Sequence, residues 1–160
     1  EEGVQEPFRG TLYYKANQNN RILPDSVYTY TPPGDVHLYL QFNKDDWDRL
    51  GTEQPLITEI RGTDKYAAFL AGDVPMAVFV NNDITDGSAC LLIKNSNGNP
   101  LSYYFTQHYQ YTFVLDYRKY FTRSLTAFVD YYHVDDVIFC LNSAQAMSND
   151  GNNLLEQIIK

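Results

Sequence analysis

A chain of 160 residues with a net charge of −8 is long enough to bury one hydrophobic core without metal or disulfide staples, and its average field repels polyanions. Nucleic acid and anionic membrane surfaces are therefore poor partners for it, no membrane insertion is expected, and no apolar run reaches bilayer-spanning length. Aromatic residues make up 15% of the chain against 20% charged, a balance that favours β-structure with polar loops over disorder.

Glu1 to Pro7 reads as a loose arm, and Glu1-Glu2-Gly3 does not begin a signal peptide, so the chain reads as soluble and excised from something longer. Apolar and β-branched runs between turn residues then predict strands in the order of an antiparallel meander. They are Gly10-Lys15, Val27-Thr31, Val36-Phe42, Pro55-Arg61, Tyr66-Ala71, Met76-Asn81, Ala89-Lys94, Leu101-Thr106 and Tyr111-Leu115. Asn43 to Leu50 reads as a helical turn with Asn43 as its cap. Asn17 to Asn20, Pro32 to Gly34, Asp83 to Gly87 and Asn95 to Pro100 supply reversals. Asn95 to Pro100, with LLIK before it and LSYYF after, predicts a hairpin.

Asp116 to His133 departs from the β pattern. Tyr117, Tyr120, Phe121, Ser124, Leu125, Phe128 and Tyr132 recur at helical spacing with Asp116 as cap, although Thr and Val content leaves a strand reading open for Ser124 to Tyr132. Val134 to Leu141 predicts one more strand, and Asn152 to Lys160 a short helix. Together these give a single α+β domain over residues 1–160, predominantly antiparallel β, with its sheet packed around one amphipathic helix.

Motifs for chemistry are missing. The sequence contains no Gly-rich phosphate loop, no G-x-S-x-G, no H-E-x-x-H and no C-x-x-C, so no catalytic residue, enzymatic activity or cofactor is expected. His37, His108 and His133 stand far apart without metal-ligand spacing. Asp45, Asp46 and Asp48, with Asp135 and Asp136, read as solvated caps rather than a glycosidase pair. NNDITDG lacks the ligand alternation of a calcium loop and reads as a turn. Cys90 and Cys140 lie in apolar strand-like runs, either as a disulfide between neighbouring strands or as buried thiols.

Binding chemistry is better represented. Trp47 and Arg49 in KDDWDR, and Tyr103, Tyr104, His108 and Tyr109 in YYFTQHYQY, set flat aromatics beside amides and charges, the combination that holds saccharides. Trp47 serves equally as a lid on the core, and many of the tyrosines must themselves be core.

The stretch TYTPPGD, Thr29 to Asp35, resembles the T-[FY]-T-P-P-[NG]-D segment that starts the sheet in the receptor-binding head of rotavirus outer-capsid spike proteins. The predicted helix after Asp116 fits the divergent group B type of head. That resemblance implies a viral attachment domain on the virion surface, partnered by host cell-surface glycans and by the remainder of the spike. With an acidic chain, the glycan implied is neutral and contains galactose or N-acetylglucosamine. The family's contact residues do not carry over to this sequence. Competing readings are an acidic protein-binding module of inhibitor or immunity type, a structural capsid or adhesin domain without a ligand, and a small glycosidase.

Overall fold

The computed structural model describes residues 2–10, 13, 23–42, 50–60, 65–120 and 124–159. The expected class holds: the chain is α+β, and antiparallel pairing predominates over its two sheets. A two-stranded sheet pairs β1 (Glu2–Phe8) with β2 (Asp25–Tyr30). A six-stranded sheet has the order β4-β3-β5-β7-β6-β8, from β3 (Val36–Gln41), β4 (Thr52–Gln54), β5 (Met76–Asn81), β6 (Ala89–Lys94), β7 (Tyr111–Asp116) and β8 (Asp136–Cys140).

The core strands form where apolar residues run without a break. All six residues of β6 are buried at 1% exposure or less, because helices and loops cover both faces of the sheet there. One face packs Val78, Leu91, Ile93, Phe113 and Leu115 against helix α2 (Leu125–Tyr132) and the terminal helix α4 (Asn149–Ile159). The other face packs Leu38, Phe79, Leu92 and Val114 against Phe69, Leu70 and the short helix α1 (Ser102–Phe105). Each fully buried Leu or Ile contributes about 1.5–3 kcal/mol to this core. A further short helix, α3 (Ser143–Ala146), follows β8.

Several expected elements differ. Asn95 to Pro100 is not a hairpin: β6 enters the 3-10 turn Ser96–Gly98, then α1, and returns as β7 parallel to itself. β8 is also parallel to β6, so the meander is interrupted at its centre. The expected strand Leu101 to Thr106 is helical, because Tyr103 turns inward to fill the core between Phe69 and Phe79. Tyr66 to Ala71 is mostly a 3-10 turn, Lys65–Ala68, and Pro55 to Arg61 contributes one isolated bridge between Ile57 and Phe69.

Asp116 ends β7 instead of capping a helix. Ser124 is the cap of α2, its Oγ accepting from the Ala127 N–H at 3.2 Å, and the helix stops at His133, which turns left-handed at φ 51°. Cys90 and Cys140 are free thiols on β6 and β8. The expected strand over Gly10 to Lys15 and the helical turn over Asn43 to Leu50 fall almost wholly outside the described residues.

Candidate functional site

Trp47 and Arg49 lie outside the described residues. Tyr103 is 0% exposed, its hydroxyl donating to Leu56 O at 2.5 Å and accepting from the Leu70 N–H at 3.2 Å, so it is a structural core residue. Tyr104 is exposed and stacks on Tyr30, with ring centroids 5.2 Å apart, and His108 is exposed on the turn after α1. Tyr109 donates to Asp136 Oδ2 at 2.8 Å, a bond that pushes its phenol up to about 12. Asp135 Oδ2 accepts the Ala89 N–H at 2.8 Å. Among the described residues no group of His, Cys, Asp and Glu has the arrangement to hold a metal ion.

Topology points to a different place. β6, β7 and β8 run the same way, so Lys94, Asp116 and Cys140 finish at one edge of the sheet. The link from β6 to β7 passes over one face through α1, and the link from β7 to β8 passes over the other through α2. Open sheets with parallel strands bind ligands outside the carboxyl ends of strands at such a reversal. The residues that leave β6 at this point are Asn95, Ser96 and Asn97.

Ser96 is half-buried at the first position of the 3-10 turn. The turn is rigidly built. Asn95 Oδ1 accepts from the Asn97 N–H at 3.0 Å, Gly98 N–H donates to Asn95 O at 3.0 Å, and Asn99 N–H donates to Ser96 O at 3.1 Å. Tyr66 donates its hydroxyl to the same Ser96 carbonyl. Asn95 N–H donates to Cys140 O at 3.3 Å, which fixes the turn to the end of β8. Gly98 is required for space: a Cβ there would sit 2.5 Å from Lys94 Cβ.

Beside this turn lies a strained segment. Leu70, Ala71 and Gly72 take φ of 55°, 49° and 100°, three consecutive left-handed residues of which only the last is glycine. Each non-glycine residue held there costs about 1–2 kcal/mol. Such strain persists where the surroundings over-determine it, and it clusters at functional sites. Asn99, fully buried, bridges the two segments by donating Nδ2 to Gly72 O at 3.2 Å and to Asp73 Oδ1 at 3.3 Å. Those two acceptors fix its amide orientation and leave Oδ1 as a buried acceptor without a donor among the described residues.

Under both segments runs a charge network. Lys94 is 0% exposed, with Nζ 3.3 Å from Asp116 Oδ2 and 3.7 Å from Asp73 Oδ1. Arg118 binds Asp116 through Nε at 2.8 Å and Nη2 at 2.6 Å, and reaches Asp73 Oδ2 at 2.9 Å. Burial draws the Lys94 ammonium below its ordinary value, against the pull of Asp116 and Asp73. Burial acts to raise Asp116, but the Arg118 and Lys94 donors outweigh it and hold the carboxyl below the usual range. The hydrogen bond to Asp116 raises Arg118 further.

All three histidines lie elsewhere: His37 starts β3, His108 precedes β7 and His133 precedes β8, which is the opposite edge. Sequence reasoning missed this site because Ser96 lies inside the Asn-rich stretch taken for a hairpin. The lysine closing the apolar run ACLLIK gave no warning either, since lysine ordinarily suits a strand end that enters a solvent-exposed hairpin.

The sequence pattern of the DHHW protein family matches residues 5–115, more than half of the chain. The chain belongs to the DHHW family. A DHHW family protein from Eubacterium siraeum shares its fold with a TM-score of 0.82 at 19% identity, covering 100% of this chain and 53% of that one. Bacillus cereus PatB1 carrying a sulfonyl adduct matches with a TM-score of 0.64 at 16% identity, over 98% of this chain and 50% of PatB1. A second PatB1 structure gives 0.58 at 20% identity, over 86% of this chain and 44% of PatB1. This DHHW chain thus spans about half the length of the structures it matches, and no curated protein matches it.

Membership of this family, with bacterial structural neighbours, overturns the rotavirus spike-head reading. Thr29 to Asp35 is the end of β2 and the Pro-Pro-Gly turn into β3, a local solution to joining two strands that carries no ancestry. The viral attachment function falls with it, as do the host-glycan and spike partners and the virion-surface location. Of those viral and lectin descriptors only the β-rich character stands. Among the described residues no helix is long and apolar enough to cross a membrane.

Proposed function

We propose that this DHHW-family chain carries the nucleophile of a serine acyl-transfer site, with Ser96 attacking the carbonyl of an ester substrate. The observation that carries the reading is the position of Ser96: first in a rigid turn, at the carboxyl end of the buried strand β6, where the crossovers reverse. Strand-to-helix turns of this kind hold a nucleophile out of the sheet while the backbone around it stays fixed. In the reaction, Ser96 Oγ bonds to the carbonyl carbon, its proton passes to a general base, and the alkoxide leaves with a proton. The acyl group then transfers from Ser96 to water or to a hydroxyl acceptor. In the left-handed 70–72 run the Leu70 and Gly72 amides already donate to the Tyr103 hydroxyl and to Phe69 O, which leaves the Ala71 amide as the donor at hand for the oxyanion.

The base comes from outside the described residues, since the three histidines stand at the other edge. The sulfonyl adduct of PatB1 supports the reading, because a sulfonyl group is attached by attack of a nucleophile at sulfur. The proposal departs from the expectation, drawn from missing motifs, of a non-enzymatic domain.

The test is covalent labelling by phenylmethanesulfonyl fluoride, with free imidazole standing in for the base, read by intact mass and peptide mapping. Ser96 is expected to take the label with a rate that climbs with imidazole, at least about tenfold faster than other serines, since general-base help contributes about 10²–10⁴-fold. Ser96→Ala abolishes that label. Label spread over tyrosines and surface serines, or a wild-type chain that takes none, overturns the proposal.

A further inference from the structure

Asp73 receives contacts from the ends of β6 and β7 and from the Ser96 turn, which meet at the carboxyl edge. Arg118 and Lys94 reach its carboxylate from the ends of β7 and β6, at 2.9 and 3.7 Å. Asn99 reaches it from the Ser96 turn at 3.3 Å, and Lys119 Nζ donates to its carbonyl at 2.6 Å. Asp73 is also the residue that immediately follows the left-handed run Leu70–Gly72.

We infer that the Asp73–Arg118–Asp116–Lys94 network is a clamp that holds the strained 70–72 segment beside the Ser96 turn, with Asp73 and Lys94 as positioning residues. Its consequence for Ser96 rests on the acyl-transfer reading. The clamp itself rests on geometry alone.

Stability does not account for this arrangement. A buried ion pair seldom does better than apolar side chains of the same volume, and Lys94 occupies a strand position where its neighbours are leucine and isoleucine. The network instead fixes register. Asp116 and Lys94 terminate adjacent parallel strands, so a carboxylate gripped by both their partners cannot slide along the edge. Two cations face two anions, so neutralising one member leaves an unbalanced charge in a buried setting. A left-handed run that includes two non-glycine residues relaxes when its downstream end is released, and its backbone then leaves the place that Asn99 gives it beside the Ser96 turn.

The experiment compares the full chain with Asp73→Asn and Asp73→Glu, because Asp73 at 29% is the most exposed member of the network. Amide hydrogen exchange is read on the peptide spanning 70–73 and on peptides from β5 and β6, in parallel with sulfonyl labelling of Ser96. In Asp73→Asn, exchange over 70–73 is expected to quicken about tenfold with β5 and β6 unchanged, as a local opening does. Ser96 labelling is expected to fall about tenfold, and Asp73→Glu to regain most of both. Unchanged exchange in Asp73→Asn overturns the clamp, whatever the labelling. Faster exchange with wild-type labelling rates retains the clamp and removes its role at Ser96. Faster exchange in a protein whose wild-type Ser96 never labels retains the clamp and refutes the acyl-transfer reading.

Discussion

Tyr103→Phe isolates one hydroxyl that joins three parts of the core. The ring packs edge-on against Phe69 and Phe79, at 5.7 and 4.9 Å between centroids, and the substitution keeps those contacts. What it removes is the acceptor for Leu70 N–H and the donor to Leu56 O. Leu70 is 0% exposed, so its amide has no route to water and costs about 1–3 kcal/mol when left unpaired. Leu56 is half-buried, and its carbonyl is rehydrated at a cost of about 0.5–1 kcal/mol. The sum, about 1.5–4 kcal/mol, is large for a single oxygen and appears at the first residue of the strained run. Equilibrium unfolding in urea measures it. The midpoint should drop with the slope unchanged, and Tm should fall by about 3–16 °C at roughly 2–4 °C per kcal/mol for a chain of this size. Tyr104→Phe, at an exposed neighbour, serves as the control with a change within about 0.5 kcal/mol. A loss under about 0.5 kcal/mol in Tyr103→Phe would refute the claim that Leu70 depends on this phenol.

Two further outcomes follow from local chemistry. His37 sits between Glu53 Oε1 at 2.7 Å and Asp35 Oδ1 at 3.0 Å, joining β3 to the edge strand β4. The bond to Glu53, then that to Asp35, raises its pKa. Its contribution to stability is therefore fully present below the ordinary value of 6.5 and is lost as pH climbs through the raised one, so His37→Gln should flatten the dependence of Tm on pH across that window. Ser124→Ala removes the cap of α2 and should cost about 1 kcal/mol in urea unfolding, with Ser124→Asp recovering most of it.

The sequence was legible where physics is local. β5 and β6 match the predicted Met76-Asn81 and Ala89-Lys94 to the residue, because unbroken apolar runs of five, each closed by one polar residue, suit strands buried on both faces. The reading failed where one residue type serves two ends. Tyr and Phe in SYYF carry β-propensity, yet the segment is a helical turn that buries Tyr103 completely against Phe69 and Phe79. Asn97-Gly98 has the letters of a two-residue hairpin, but Gly98 avoids a clash with Lys94 and does not supply a left-handed turn. Asp116 looked like a helix cap because its spacing to Tyr120 is helical, while its carboxylate is consumed by Lys94 and Arg118. No pattern in one dimension announces that partner, since Asp73, Lys94 and Asp116 meet only after three strands have been placed.

The place of β6 in the sheet also bears on how the chain is made. Both of its neighbours, β7 and β8, come later in the sequence, so the most apolar strand leaves the ribosome before either partner exists. At a synthesis rate of roughly 5–20 residues per second, the second partner is complete only after an interval on the order of seconds. During that time Leu91, Leu92 and Ile93 have no native surface to pair with, which makes this strand the natural target for a holding chaperone and the first place to look when the protein is lost to inclusion bodies.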